Sequence, residues 1–300
     1  NPAELWELRG EGLWTTPAGP KKASLEQCDL GKGPGVVKGA YAELPRFFAD
    51  ANRVMDLESR LVWCRVTLQG MSEADAKRNP FGSANRKSDM EALVAFVTSQ
   101  SRGVPMNVRL DHPKMKEAYA LGEQIFFFRG GPHDFACATC HGEDGKRIRL
   151  KDLPNLTAKA GAQKGYSTWP AYRVSQGELR TFQWRLNDCF RQQRFPELEF
   201  ASPASIALTT FSPTTRTARP STRRRSSADP REDAMNKSIR IALASGLAAA
   251  AVVGCASMEP KPSDAETSAK ALQVMKASFK EHGQAKLDRL NQDETQALCS

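Results

Sequence analysis

The sequence predicts a mainly α-helical chain: two related helical domains, then a disordered linker and a short helical fragment. Three observations carry this prediction. Apolar residues recur at helical spacing in several segments, strand signals are scarce, and a five-residue pattern returns on two of the expected helices. Three hundred residues leave room for two ordinary domains. Hydrophobic content of 40% and charged content of 26% are ordinary for a soluble globular chain. Nothing in the first two hundred residues is long and apolar enough to span a bilayer.

In chain order, Leu57, Leu61 and Leu68 share a helical face with Cys64. Ser88 and Glu91 form a capping box ahead of Met90, Leu93, Val94 and Val97, which follow helical spacing. Met115, Ala118, Tyr119, Ile125 and Phe126 make the next stripe, closed by Gly130-Gly131-Pro132. Cys137-Ala138-Thr139-Cys140-His141 follows directly, and then a polar, proline-containing loop from Asp152 to Thr157. A further helix carries Leu179, Phe182, Leu186, Cys189 and Phe190 on one face. Arg60-Leu61-Val62-Trp63-Cys64 echoes Arg185-Leu186-Asn187-Asp188-Cys189, which suggests a duplication with domains at residues 1–100 and 101–211.

The character of the chain changes after Phe211. Residues 212–234 are rich in Arg, Ser, Thr and Pro, lack hydrophobic periodicity and are expected to be disordered. Met235 to Arg240 then lead into an apolar run that ends at Val252-Val253-Gly254-Cys255. A basic start, a short apolar core and a small residue before Cys mark residues 235–255 as a secretion signal with a lipoprotein-type cleavage site. The fourteen apolar residues from Ile241 to Gly254 are short for a membrane tether. A signal in mid-chain suits no single mature protein, so the expectation is a frameshift near Phe211. On that reading Met235 starts a second product, and residues 256–300 are its fragment. The start at Asn1, with no Met and no leader, is read as a mature or truncated N-terminus.

The net charge of +9 invites a nucleic-acid reading, but its distribution argues against one. Arg216, Arg219, Arg223, Arg224, Arg225 and Arg231 lie in the stretch expected to be disordered, not on a folded face. The basicity elsewhere suits an anionic small substrate or an acidic partner.

Cys137, Cys140 and His141 carry the strongest chemical signal. Two thiols three positions apart can add to the two vinyl groups of one haem, and the adjacent imidazole then sits beneath the iron. A tetrahedral zinc site would need a second Cys/His pair at suitable spacing, and thioredoxin chemistry would need a βαβ context; neither is present. Covalent haem attachment places the chain outside the cytoplasm. For the sixth iron ligand, the only Met and His residues after His141 lie beyond the suspected frameshift, which leaves Cys189. A thiolate ligand lowers the reduction potential; the competing reading is a buried structural cysteine. Arg185, four residues before Cys189, shares its helical face, where a guanidinium lowers a thiol pKa and holds an oxyanion. The competing reading is a solvated surface arginine. Cys28 and Cys64 are either a disulfide or two buried thiols.

Beyond the haem motif, Gly142-Glu143-Asp144-Gly145-Lys146, Leu153-Pro154-Asn155-Leu156, Thr168-Trp169-Pro170-Ala171-Tyr172-Arg173 and Gln183-Trp184-Arg185 together resemble the SoxA family. Gly35 to Ala40 and Met55 to Arg60 resemble it too, so the likeness runs over residues 1–211. SoxA is the larger subunit of the SoxAX cytochrome of bacterial thiosulfate oxidation. The resemblance implies two cytochrome-c-like domains. Because Cys28 stands in no CxxCH, it also implies the single-haem type, with a haem-less first domain and Cys28 paired to Cys64. It further implies one covalent haem c, Cys189 as axial ligand carrying a persulfide, and Arg185 as the substrate-binding arginine. The implied activity joins thiosulfate oxidatively to a cysteine of the SoxYZ carrier, in the periplasm. The implied partners are a SoxX haem subunit and a downstream cytochrome c, with no nucleic acid. Residues 235–300 resemble the beginning of SoxX, without its haem motif. Three other functions stay open at this point: a thiosulfate dehydrogenase forming tetrathionate, a plain electron-transfer cytochrome, and a structural subunit whose haem only holds its fold.

Overall fold

The computed structural model describes residues 2–83, 85–148, 150–214 and 264–280. The expected linker beyond residue 214, the signal-like segment and the last twenty residues lie outside the described part. The described residues all fall in one compact unit. No helix among the described residues is long and apolar enough to cross a membrane.

The mainly α architecture expected from the sequence is the one observed. The N-terminal helix α1 (Ala3–Thr15) buries Trp6, Gly10 and Trp14 along one line. It crosses α4 (Asp89–Ser99) so closely that a Cβ on Gly10 would lie 2.0 Å from the Ala92 carbonyl oxygen. Only glycine fits there. The same device recurs farther along: α5 (Pro113–Phe127) crosses α9 (Pro203–Thr214), where a Cβ on Gly122 would lie 2.1 Å from the Ala207 carbonyl oxygen. Neither α1 nor α9 was anticipated from periodicity.

Between these crossings, α2 (Leu57–Thr67) begins at a reciprocal box in which Asp56 accepts from the Ser59 amide at 2.9 Å and the Ser59 hydroxyl accepts from the Asp56 amide at 3.0 Å. Ahead of it β1 (Arg46–Phe48) pairs antiparallel with β2 (Arg53–Met55). A single turn, α3 (Glu73–Ala76), follows α2. In α4, Ser88 caps the Glu91 amide at 3.2 Å, but Glu91 does not close the expected capping box. Its carboxylate turns instead to the Gly82 amide at 2.9 Å and to Arg180 at 3.1 Å, because a buried acid gains more from a guanidinium than from an amide alone.

The second half holds α6 (Cys137–His141), the hairpin β3 (Arg147–Ile148) with β4 (Lys151–Asp152), and α7 (Lys159–Ser167). Next come the hairpin β5 (Ala171–Arg173) with β6 (Glu178–Arg180), and then α8 (Phe182–Gln192). Leu179 was expected on the last of these helices. It belongs instead to β6, paired with Tyr172, because the Thr181 hydroxyl caps the Trp184 amide and starts the helix one residue later. The expected break after Phe211 also falls too early. α9 runs on to Thr214, with Ser212, Pro213 and Thr214 buried. The Ser212 hydroxyl donates back to the Leu208 carbonyl at 3.0 Å, which lets this polar side chain stay inside.

Among the described residues two large apolar cores result, with a third, smaller cluster of Trp6, Ala95 and Leu179. One gathers Leu25, Leu44, Met55, Leu61, Met90 and Val97, and draws Tyr166, Phe182 and Phe200 from the second half. The other gathers Ile125, Phe126, Phe190, Leu198, Leu208 and Phe211. Helix α10 (Asp264–Ala277) and the residues after it add Ala271, Met275 and Phe279 to this second core.

Candidate functional site

The second core opens on a cavity of about 640 Å³, within the usual range for a cofactor site. Two elements of different origin form its walls. On one side α6 and the loop after β4 bring Cys137, His141, Pro154 and Leu156; on the other, α8 brings Phe182, Arg185, Leu186, Cys189 and Phe190. Trp169, Tyr172 and Arg173 complete it from the segment before the second hairpin turn.

His141 is held by its Nδ1, 2.9 Å from the Pro154 carbonyl oxygen. A carbonyl only accepts, so Nδ1 carries the proton and Nε2 is left bare for a metal. Burial lowers the imidazole pKa, opposed by the Pro154 carbonyl, and this favours the neutral ligating form. The short helix is fixed at its start by the Ala136 amide donating to the Thr139 hydroxyl at 2.9 Å. Cys137 and Cys140 sit on this one turn. Burial pushes the Cys137 thiol up to about 12, with Cys189 and Cys140 adding to the rise.

Cys189 lies partly open on the cavity. Burial pushes its thiol up, Arg185 and Arg173 pull it down, and Asp188 and Cys140 push it up. Arg185 alone was expected to lower this thiol, and in the polypeptide burial outweighs it. The donor set fits a haem c: two thiols on one turn, an imidazole with a bare Nε2, a further sulfur on the same cavity, and apolar walls.

Arg185 and Cys189 do share a face of α8, yet Arg185 is not alone. Its Nη1 donates to Asp188 Oδ2 at 2.7 Å, and the same buried carboxylate receives Arg191 and, at 2.9 Å, Gln192 Nε2. Asp188 and Arg173 stand in stretches singled out from the sequence, but neither was expected to act at the site. Both i,i+3 spacings to Asp188 were visible in the sequence, but nothing local brings Arg173 to the cavity. The start of α8 is fastened to the first half by buried polar contacts. Gln183 Nε2 donates to Asp56 Oδ2 at 2.6 Å, and the Gln183 amide donates to Glu58 Oε2 at 3.3 Å. Burial raises both carboxyl groups, Glu58 well above the ordinary range. The Tyr41 hydroxyl donates to the Trp169 carbonyl at 3.1 Å. Cys28 and Cys64 stand apart from the cavity, bonded to each other with Cα atoms 5.7 Å apart.

Residues 9–106 match the family model of the SoxA/TsdA cytochrome c domain. The chain is 54% identical over 211 residues to the L-cysteine S-thiosulfotransferase subunit SoxA of Hydrogenophilus thermoluteolus, covering 70% of this chain and 77% of that protein. It is 32% identical over 212 residues to a subunit of the same name from Hydrogenobacter thermophilus, with 70% and 76% covered. Among solved structures it resembles SoxXA from P. pantotrophus, at 25% identity and a TM-score of 0.56, over 71% of this chain and 74% of that one.

Proposed function

The chain belongs to the SoxA family, and from that premise we propose that it is a haem-dependent L-cysteine S-thiosulfotransferase subunit of thiosulfate oxidation. The observation that carries the proposal is one cavity lined by Cys137, His141, Arg185 and Cys189. Cys137 and Cys140 would attach a single haem c, His141 would ligate its iron through Nε2, and Cys189 would supply a sulfur ligand and act as the sulfur nucleophile. A haem bound there would supply one-electron acceptance, so the two electrons would pass singly through it to the partner cytochrome.

Overall, a carrier thiol and a thiosulfate dianion form one S–S bond and lose one proton and two electrons. The Cys189 thiol first loses its proton and bonds to the sulfane sulfur of thiosulfate, with the release of two electrons. A carrier thiolate then attacks that sulfane sulfur, and the Cys189 thiolate departs and recovers the carrier's proton. Arg185 balances the sulfonate charge throughout.

The partners on this reading are a SoxX-like haem subunit, the SoxYZ carrier and a downstream cytochrome c, all in the periplasm. The domains are residues 1–100, haem-less, and 101–211, haem-bearing. We assign residues 235–300 to the start of a SoxX-like subunit joined by a frameshift. Sequencing the locus tests this, and one uninterrupted frame sinks it.

The function is tested by following thiosulfate-dependent cytochrome reduction by the haem-loaded chain paired with an intact SoxX. Wild type is compared with Cys189→Ala, with and without SoxYZ. Turnover that needs both the carrier and Cys189, and falls on the order of a thousandfold or more in the variant, is expected. Turnover indifferent to the carrier means tetrathionate formation, and full turnover by Cys189→Ala removes that cysteine from the mechanism.

A further inference from the structure

Two arginines line the cavity beside Cys189, and the structure treats them differently. Arg185 is committed: Asp188, buried against it, takes its Nη1 at 2.7 Å. An anion arriving at Arg185 meets a guanidinium already paired with a carboxylate, which Arg185 shares with Arg191. Arg173 is not committed. Among the described residues it forms no ion pair and donates no side-chain hydrogen bond. It ends β5, opposite Glu178 in the hairpin register, with its guanidinium carbon 5.9 Å from the centre of the Trp184 ring. Arg180, on the other strand, also lies over that ring, at 5.0 Å, but its charge is spent on buried Glu91. The hairpin thus offers the cavity one arginine whose charge is unmatched, half-buried and supported from behind by an aromatic face.

An unmatched guanidinium in a partly dry cavity is poised for a planar or tetrahedral oxyanion, which it binds through paired donors. We propose that Arg173 is a second residue that captures the sulfonate end of the anionic substrate at Cys189, alongside Arg185. The inference rests on the proposed activity and deepens it. The substrate class is a small sulfur oxyanion with a reactive terminal sulfur. Capture at Arg173 leaves that sulfur free to face Cys189, and it makes the hairpin turn from Val174 to Gly177 part of the binding site.

The test uses the haem-loaded full chain and two readouts. Thiosulfate binding is measured by calorimetry with the carrier omitted, and KM and kcat are measured with the carrier present. Arg173→Gln is expected to weaken binding and raise KM about tenfold, the effect of losing one charge-assisted contact. Its kcat stays within about twofold and its haem absorption spectrum is unchanged. Arg173→Lys, which keeps the charge, recovers most of the binding. The assignment is overturned if Arg173→Gln binds like wild type, if Lys is no better than Gln, or if the haem spectrum shifts with the loss. Calorimetry judges Arg173 whether or not Cys189→Ala later retains turnover, so the failure of this inference and of the proposed activity can be told apart.

Discussion

Helices α2 and α8 have the same length, eleven residues, with an arginine at the fourth position and a cysteine at the eighth. In α2 both groups are used up. Arg60 donates through Nε to the Asp29 carbonyl at 2.7 Å, pairs with Asp50 and lies 4.0 Å above the Phe48 ring, while Cys64 is bonded to Cys28. In α8 the arginine and the cysteine both face a cavity. The correspondence extends outward. Cys28 follows Gly10 by eighteen residues, as Cys140 follows Gly122, and each glycine lets its helix cross another at backbone contact. On that alignment Leu25 and Asp29 stand where Cys137 and His141 stand. Leu25 is buried in the core, and Asp29 accepts from the Gly31 and Gly33 amides at 2.6 and 2.9 Å. One helical framework therefore supports two outcomes. Where the attachment residues are an apolar side chain and a turn-capping acid, the sulfurs close on each other; where they are Cys and His, a cavity separates the walls.

The largest expected effect tests whether the disulfide is purely structural. Cys28→Ser combined with Cys64→Ser is expected to lower stability by ~2–4 kcal/mol, the usual effect of opening a loop of this size. Denaturant unfolding of the haem-loaded chain measures it. At a temperature where the variant stays folded, kcat should remain within about twofold of wild type. A turnover loss like that of Cys189→Ala would break the division of labour between the two helices.

A smaller effect concerns the seam between the two halves, where Glu91 of α4 meets Arg180 of β6. Burial pushes Glu91 up to about 7, against the Gly82 amide and the Arg180 guanidinium. The folded chain therefore keeps this proton at pH values where the unfolded chain has lost it. The resulting stability is fully present below the ordinary glutamate value and is lost as pH rises through about 7. Unfolding free energy should fall by on the order of 1–3 kcal/mol between about pH 5 and 8, and Glu91→Gln should flatten that slope. An unchanged slope in the variant assigns the loss to Asp56 and Glu58, which shift the same way.

What could be read in the sequence is local. Cys137 to His141 announce themselves because their spacing is their chemistry, and α2, α5 and the body of α8 follow from apolar stripes of one turn's period. α1 was hidden because its buried line of Trp6, Gly10 and Trp14 uses a glycine, which carries no hydrophobic signal. α9 was hidden because Ser205, Thr209 and Ser212 are buried by donating to their own helix backbone, which composition counts as polar. At the site, Cys189 and Arg185 were legible from one helix. Arg173 and the Gln183–Asp56 contact were not, since each depends on segments distant in sequence meeting in space.

The smallest effect is the most discriminating, because it asks what Asp188 does to Arg185. A buried carboxylate beside a cavity-lining arginine can aim it or quench it, and the two roles predict opposite signs. Asp188 receives three donors, so much of its charge is also spent on Arg191 and Gln192. If it quenches, Asp188→Asn leaves Arg185 with an unmatched charge on the cavity, and the KM for thiosulfate falls about threefold, under ~1 kcal/mol. The dependence on Arg173 should then soften, because two uncommitted guanidinium groups share one anion, and the Arg173→Gln, Asp188→Asn pair should be non-additive. If Asp188 aims Arg185, KM rises instead and the Arg173 effect stays whole. An unchanged haem spectrum in the variant separates either answer from a distorted α8. In α2 the corresponding arginine is held by a backbone carbonyl and an aromatic ring as well as by Asp50, so no one substitution would free it to move. A single exchangeable partner is what makes the charge on α8 adjustable.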